Sequence, residues 1–391
     1  MDSILKKKPW KLLLLATALA LAATAAILFL PSNNEYRGKS ALAWTRELSA
    51  ADPKVREEAA AALKAMGPHA ARALNAEMQR KDSAIRRGLG AAARAALPDT
   101  LRYRIKAALK LQEVKPGKLL TLEALQTLGP SAEAALPSLE RALMDPDTAI
   151  SGAAAIALAR IGSSAAPALS RGLNHSNFVV VGNACYGLSV MGTNGGYAVP
   201  ALIQLVRAGR TLAYPACDAL GHIGAPSVPA VTALLGDSDA QIRERAVYTM
   251  GVIGPYAETA LPLLAQLRSD TNVAIRHRLA AALPNVSPVA PHTTATLTAF
   301  LDDPDLATRL AALKGLMNSP PGVRFAADRL VSLLSDPEPE VRGEAALVLA
   351  QLRAVPANVA GSVEKLLRDA DPDVRAKAQT ALDRIRGAAP K

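Results

Sequence analysis

Aromatic side chains are scarce in this chain: Phe, Trp and Tyr together make up 3% of its 391 residues. A core without them must be filled by small and aliphatic groups. Half of the residues are hydrophobic, most of them Ala and Leu, which favour helices. Few segments show the β-branched alternation of strands. Cysteine is rarer still. Cys185 and Cys217 stand alone, with no CxxC pair and no Cys/His ligand cluster, which disfavours a zinc site. The five histidines, His69, His175, His222, His277 and His292, are scattered and form no HExxH or HxH pattern. No GxSxG elbow and no phosphate-binding P-loop occurs. Gly195-Gly196 reads as a turn. These absences argue against an enzyme, a metal site and a bound cofactor.

Charge excludes less. The formal net charge is +11. Lys6, Lys7, Lys8 and Lys11 supply four of the positive charges ahead of an apolar run, and Asp2 offsets one. From Ser32 onward 41 Lys/Arg face 33 Asp/Glu, leaving +8. That modest excess permits a nucleic-acid partner without demanding one.

The apolar run, Leu12 to Leu30, is 19 residues without a charge. At about 1.5 Å per helical residue it comes close to the roughly 30 Å hydrocarbon core of a bilayer. The basic segment 1–11 then stays in the cytoplasm, and the rest of the chain lies outside the membrane of a prokaryote-like cell. A cleaved signal peptide is the alternative, with Ala23-Thr24-Ala25 as the small-residue site. Ala26-Ile-Leu-Phe-Leu30 continues the apolar run past that point and favours an uncleaved anchor. No Cys follows, which disfavours a lipoprotein-type anchor. Residues 31–39 read as a polar linker.

From residue 40 to 387 the chain repeats itself. A closing glycine recurs at 67, 129, 162, 192, 224 and 254, and the spacings from 129 are 33, 30, 32 and 30. Each unit reads as a first helix with an internal Pro, as in Ala135-Leu-Pro137, then an Asp/Pro/Ser turn such as Asp145-Pro146-Asp147, then a second helix running to the glycine. Asp or Asn caps the second helix, and the glycine suits the left-handed position after it. Such a period marks stacked helix pairs that bury a shared face.

This pattern resembles the HEAT repeat, including the HEAT-like variety associated with phycobilin lyases. The resemblance covers nearly everything after the linker. It implies an all-α fold, a right-handed superhelical α-solenoid of about eleven HEAT-like helix pairs, and the apolar run places one transmembrane helix before it. It says little about function, since such solenoids serve unrelated partners. A lyase task in the cytoplasm fits poorly with an exported array.

Two features single out residues. The second helix often opens on an apolar residue and an Arg, with an acid or amide four residues before the Arg. The pairs are Asp52 with Arg56, Asp82 with Arg86, Asp239 with Arg243, Asn272 with Arg276, Glu338 with Arg342 and Asp371 with Arg375. Stacked units turn these pairs into a structural ladder along one edge. An anion-binding Arg stripe is the competing reading. In the middle of the array the Arg positions are Ser151, Val181 and Ala213, and five of the seven tyrosines, Tyr186, Tyr197, Tyr214, Tyr248 and Tyr256, fall between 186 and 256. Tyrosine offers large contact area with a polar tip. Asn174, His175, Phe178, Asn183, Tyr186, Tyr197, Tyr214 and Tyr248 are the candidates for partner contact; the competing reading makes them filling for a less regular core. Cys185 and Cys217 sit at equivalent places on adjacent second helices, where two buried small hydrophobes are favoured over a disulfide. The expected protein is a membrane-tethered, non-catalytic scaffold for a protein or peptide on its concave face. The alternatives are a secreted or periplasmic adaptor and, less favoured by the charge, a nucleic-acid binder.

Overall fold

The computed structural model of the chain describes residues 35–79, 114–209, 211–352 and 357–387. They fall into two compact units divided between Leu139 and Glu140. The expected membrane segment 12–30 and the basic segment 1–11 lie outside the described residues. Among the described residues no helix is long and apolar enough to cross a membrane.

In the first unit the end of the expected linker is a β-hairpin. β1 (Glu35–Tyr36) and β2 (Lys39–Ser40) pair antiparallel. Arg37 and Gly38 between them have φ of 50° and 73°. Positive φ at both central residues is what a two-residue type I′ turn needs. α1 (Ala41–Glu47) follows, and its buried Trp44 ties the hairpin down. Trp44 Nε1 donates to Tyr36 O at 3.1 Å, and Lys39 Nζ lies 4.3 Å from the centroid of its ring. α2 (Pro53–Met66), α3 (Pro68–Gln79) and α4 (Val114–Leu128) pack together and bury Leu63, Leu74, Leu122 and Leu125.

The second unit is a stack of helix pairs. We label its second helices α5 (Thr148–Ile161), α6 (Phe178–Met191), α7 (Ala213–Ile223), α8 (Ala240–Ile253), α9 (Val273–Val286), α10 (Leu306–Met317), α11 (Pro339–Leu349) and α12 (Pro372–Gly387). Each packs against the next along the whole run. The local sequence sets their limits. Asp147, Asn177, Asp239 and Asn272 are extended at the N-cap, and each side chain accepts from the N–H two residues on. Gly162, Gly192, Gly224 and Gly254 end their helices with positive φ but with ψ between −130° and −155°. This is not the left-handed helical conformation the spacing suggests. It is a more restricted region, in which only glycine avoids a Cβ clash.

The prolines of the first helices also sit differently from the expectation. They are not internal. A 3-10 turn comes first, and the α-helix then begins one residue before Pro167, Pro200, Pro229 and Pro262. In the first turn a missing N–H costs no helical bond, so proline is tolerated there.

Small residues let the second helices approach closely. Ala154, Ala184, Ala216 and Ala246 share one register position, and all are fully buried. At Gly221 a Cβ would lie 2.3 Å from Val252 Cγ1, and at Gly187 it would lie 3.0 Å from Ala155 O. Around these contacts the larger aliphatic side chains, Leu158, Leu188 and Leu220 among them, are fully buried. Each contributes about 1.5–3 kcal/mol relative to exposure.

The Arg-bearing edge forms a ladder, but its bonds differ from the i, i+4 pairing read from sequence. Of the six expected pairs, one, Asp82 with Arg86, lies outside the described residues. Among the others, Asp52, Asp239, Asn272 and Asp371 bind N–H groups of their own helix starts, while Glu338 makes no side-chain cap bond. The guanidinium instead reaches two turns at once. Arg243 Nη1 donates to Asp237 O at 2.8 Å in its own turn. Its Nε and Nη2 grip Asp270, in the next turn, at 2.8 and 3.0 Å. Arg276 does the same with Asp270 O and with Asp303 at 2.7 and 3.1 Å. Arg342 does so with Asp336 O and with Asp369, both fork bonds being 2.8 Å. Arg309, which the sequence reading passed over, binds Asp303 O and lies 3.5 Å from Asp336. Arg56 and Arg375 reach only carbonyls of their own turns. Arg207, from the first helix Val199–Ala208, holds Asp237 at 2.7 Å, where Ala213 has no guanidinium to offer.

These carboxylates are acid-sensitive. Burial by itself raises the Asp270 and Asp303 carboxyls. The guanidinium forks, and the N–H groups of Asn272 and Asp305, outweigh it and hold both below the usual aspartate range. Asp369 is lowered first of all by its bond to Arg342. Folded values below the unfolded one bring stability that is full above the ordinary aspartate pKa of about 3.9 and is lost as pH falls through the folded values. Arg276→Gln is therefore expected to lower stability at neutral pH by about 1–3 kcal/mol, by leaving Asp303 partly buried and unpaired. The loss should shrink as pH falls below about 3.9, as read by thermal denaturation across pH. Equal losses at neutral and acid pH would show that the fork does not carry this stability.

Candidate protein-interaction surface

The eight residues proposed from sequence for partner contact do not form one patch. Asn174, His175 and Phe178 lie at the turn into α6. There His175 Nδ1 accepts from Asn177 N at 3.1 Å, and Phe178 is 70% exposed. Tyr197 lies at the opposite end of α6, in the turn Gly192–Ala198, as Tyr256 does beyond α8. Asn183 is half-buried, and its Nδ2 donates to Ser151 Oγ at 3.0 Å, while Ser151 Oγ donates to Leu143 O at 2.7 Å. This hydroxyl–amide bridge links α5 to α6 where the ladder has no Arg.

Tyr186, Tyr214 and Tyr248 do share a face, and the closing glycines show how. Tyr186, Asp218 and Tyr248 each stand six residues before their glycine, on α6, α7 and α8. Tyr214 and Glu244 each stand ten residues before theirs. Equivalent positions on helices packed side by side make rows across the stack. The bonds follow those rows. Tyr248 Oη donates to Asp218 Oδ1 at 2.6 Å, and Tyr214 Oη donates to Glu244 Oε2 at 2.8 Å. Arg278, on α9, donates from Nε to Glu244 Oε1 at 2.6 Å and sets its guanidinium 5.3 Å from the Tyr248 ring centroid. The rings of Tyr214 and Tyr248 meet edge to face at 5.4 Å. The helices α7, α8 and α9 are thus cross-linked on their exposed side. Tyr186, which is 56% exposed, extends the row by one helix as its outer member.

The Tyr214 and Tyr248 phenols of this face and the Cys185 and Cys217 thiols stay protonated at neutral pH. The Asp218 carboxylate, then burial, push the Tyr248 hydroxyl up to about 12. Burial, then Glu244, also raise that of Tyr214. Both phenols are hydrogen-bond donors at neutral pH. Beneath them Cys185 and Cys217 are buried and free. Burial, first of all, raises their thiols to about 12 and about 11, so neither is a nucleophile.

Asp218, Glu244 and Arg278 escaped the sequence reading because each looks like an ordinary surface charge. The signal was the 30-residue spacing of Asp218, Tyr248 and Arg278. Replacing Asp218 by Asn removes the carboxylate that holds the Tyr248 proton. Spectrophotometric titration of tyrosinate is expected to show one residue of Asp218→Asn ionising at lower pH than in the native chain; an unchanged curve would separate Asp218 from the Tyr248 shift.

Residues 199–284 and 327–391 match the family model for HEAT repeats. The fold is also that of solved HEAT-type solenoids. Kap121p, solved bound to Nup53p, is 16% identical; the match covers 95% of this chain and 47% of that one, with a TM-score of 0.51. Kap95p, solved with RanGDP, is 13% identical over 93% of this chain and 60% of that one, with a TM-score of 0.50. This chain therefore spans about half to three fifths of the length of those two. An archaeal HEAT-like repeats protein from Thermococcus onnurineus NA1 is 14% identical over 65% of this chain and 98% of that one, at a TM-score of 0.37. No curated protein matches the chain by sequence.

Proposed function

We propose that this HEAT-repeat α-solenoid is a non-catalytic scaffold that holds a protein or peptide partner on the exposed face of α6–α9. The observation that carries the reading is the placement of Tyr186 and Tyr214, 56% and 43% exposed, beside a hydrogen-bonded set of Tyr248, Asp218, Glu244 and Arg278. Large, rigid aromatic area with polar tips is what interfaces concentrate, and stacked helix pairs offer it as a continuous surface. Solved solenoids of this fold that hold protein partners, Nup53p on Kap121p and RanGDP with Kap95p, support the same use.

The scaffold is tethered in this reading. Lys6, Lys7, Lys8 and Lys11 followed by the uncharged run Leu12 to Leu30 support a single-pass anchor, with the repeats outside the cytoplasmic membrane. Cleavage after Ala23-Thr24-Ala25 would instead release a secreted or periplasmic adaptor.

The double replacement Tyr186→Ala, Tyr214→Ala tests the face. Crosslinking in intact cells is expected to recover the native chain's partner at least about tenfold less efficiently, with a melting curve close to that of the native chain. Undiminished capture would sink the reading. A reporter fused after Lys391, active only outside the cytoplasm, tests the tether. Activity is expected; a silent reporter with a well-expressed fusion would remove the extracytoplasmic placement and reopen a nucleic-acid partner.

A further inference from the structure

The exposed face of α6–α8 holds one carboxylate, Asp218, that makes no ion pair among the described residues. We propose that the partner places a lysine or arginine side chain on Asp218, on the side of the row where Tyr186 stands, so that the scaffold recognises a basic residue within a protein segment. The proposal rests on the reading of this face as the partner-binding surface.

Charge on the three helices before α8 is sparse. α5, α6 and α7 together carry Arg160 and Asp218 as their only Lys, Arg, Asp or Glu residues. Arg160 lies two residues before the closing Gly162, at the far end of α5 and two helices away from α7. It is not a counter-ion for Asp218. Tyr248 occupies Asp218 Oδ1, and Asp218 Oδ2 accepts no bond from the described residues. Glu244, the next carboxylate across the stack, is in the opposite condition. Both of its oxygens are taken, by Tyr214 and by Arg278, and Arg278 cancels its charge. Asp218 is thus half-buried and half-satisfied, while the neighbouring charges of this face, Glu244 and Arg278, are spent on each other.

Its neighbours in the row complete the argument. Tyr186 stands at the same register position one helix earlier, and its hydroxyl has no partner among the described residues. Tyr248 stands at that position one helix later. A carboxylate attracts a cation by direct charge, and the exposed ring of Tyr186, the row neighbour that carries no guanidinium as Tyr248 carries Arg278, adds the negative face of an aromatic. A neutral segment docked there would strip water from Asp218 and return nothing, and an acidic or phosphorylated one would be repelled. With a single oxygen open, the two-pronged carboxylate fork of arginine gains no advantage, so lysine and arginine are both accepted.

The test uses the full chain in detergent and a synthetic library of randomised dodecapeptides. The native chain is expected to retain a pool enriched several-fold in Arg and Lys at one position. A retained peptide is then remade with citrulline for Arg, or norleucine for Lys. That change should weaken binding at least tenfold to the native chain but less than twofold to Asp218→Asn, because the partner charge and the carboxylate form one coupled pair. Asn still offers an acceptor to Tyr248, and the melting curve of the variant checks its fold. A pool without cation preference, or equal weakening in both chains, overturns the proposal. If that same retention still falls in the Tyr186→Ala, Tyr214→Ala chain, the broader reading of the face stands without it. Retention indifferent to those two tyrosines, or no retention by the native chain, overturns both.

Discussion

Register between neighbouring second helices is the constraint on which the second unit depends. No helix pair here can bury its apolar side alone, so each α-helix from α5 to α12 must lie against the next. Alanine and glycine at the contacts bring the helices close, as at Ala184, Ala216 and Gly221. Close contact leaves little freedom to slide, since a shift would drive a Cβ or a leucine into the neighbour's backbone. Fixed register then turns a pattern along the sequence into rows across the surface. The turn residues make a row on one edge, and the residues six and ten before each closing glycine make rows on the face.

The two kinds of row serve different ends. From Asp237 onward the turn aspartates recur at 237, 270, 303, 336 and 369, a constant step of 33 residues. Guanidinium groups link these turns from Arg243 to Asp369, by charge-assisted forks at Asp270, Asp303 and Asp369 and by a looser 3.5 Å ion pair of Arg309 with Asp336. Before that point the steps between closing glycines from 162 to 254 are 30, 32 and 30, and no Arg stands at the ladder position on α5, α6 or α7. There the helices are joined on the face instead, through Ser151 and Asn183, then through the tyrosines and their carboxylates. The polar bonds that couple neighbouring helices thus move from the edge to the face in the stretch proposed to meet a partner.

Much of this was legible in the sequence, for physical reasons that differ from element to element. The helix pairs were readable because caps, glycines and apolar spacing all act locally and agree. The uneven tyrosines were readable because aromatics are rare here. The partners of the charges were not. Arg243 reads as bonded to Asp239, four residues before it, yet it binds Asp270, 27 residues on, because the next turn lies nearer to its fork than its own cap does. Asp218 and Glu244 carry no local mark at all; only stacking brings them to the tyrosines. The first-helix prolines and the glycine geometry were placed correctly along the chain but assigned the wrong conformation, since spacing reports where a turn falls and not which φ and ψ it takes.

The double duty of each ladder arginine sets a rule for how such an array can change its length. Arg243 holds its own turn through Asp237 O and the following one through Asp270. Excising one whole period, residues 270–302, would carry Asp303 to the place of Asp270, and Arg243 would meet an identical carboxylate. An excision in this stretch that is not a multiple of 33 residues would put a guanidinium and its aspartate out of step. Loss or duplication of genetic material would therefore preserve the clamp only in whole steps of 33 residues. The arithmetic of the clamp makes this half of the protein a ruler that can be cut only at its own graduations.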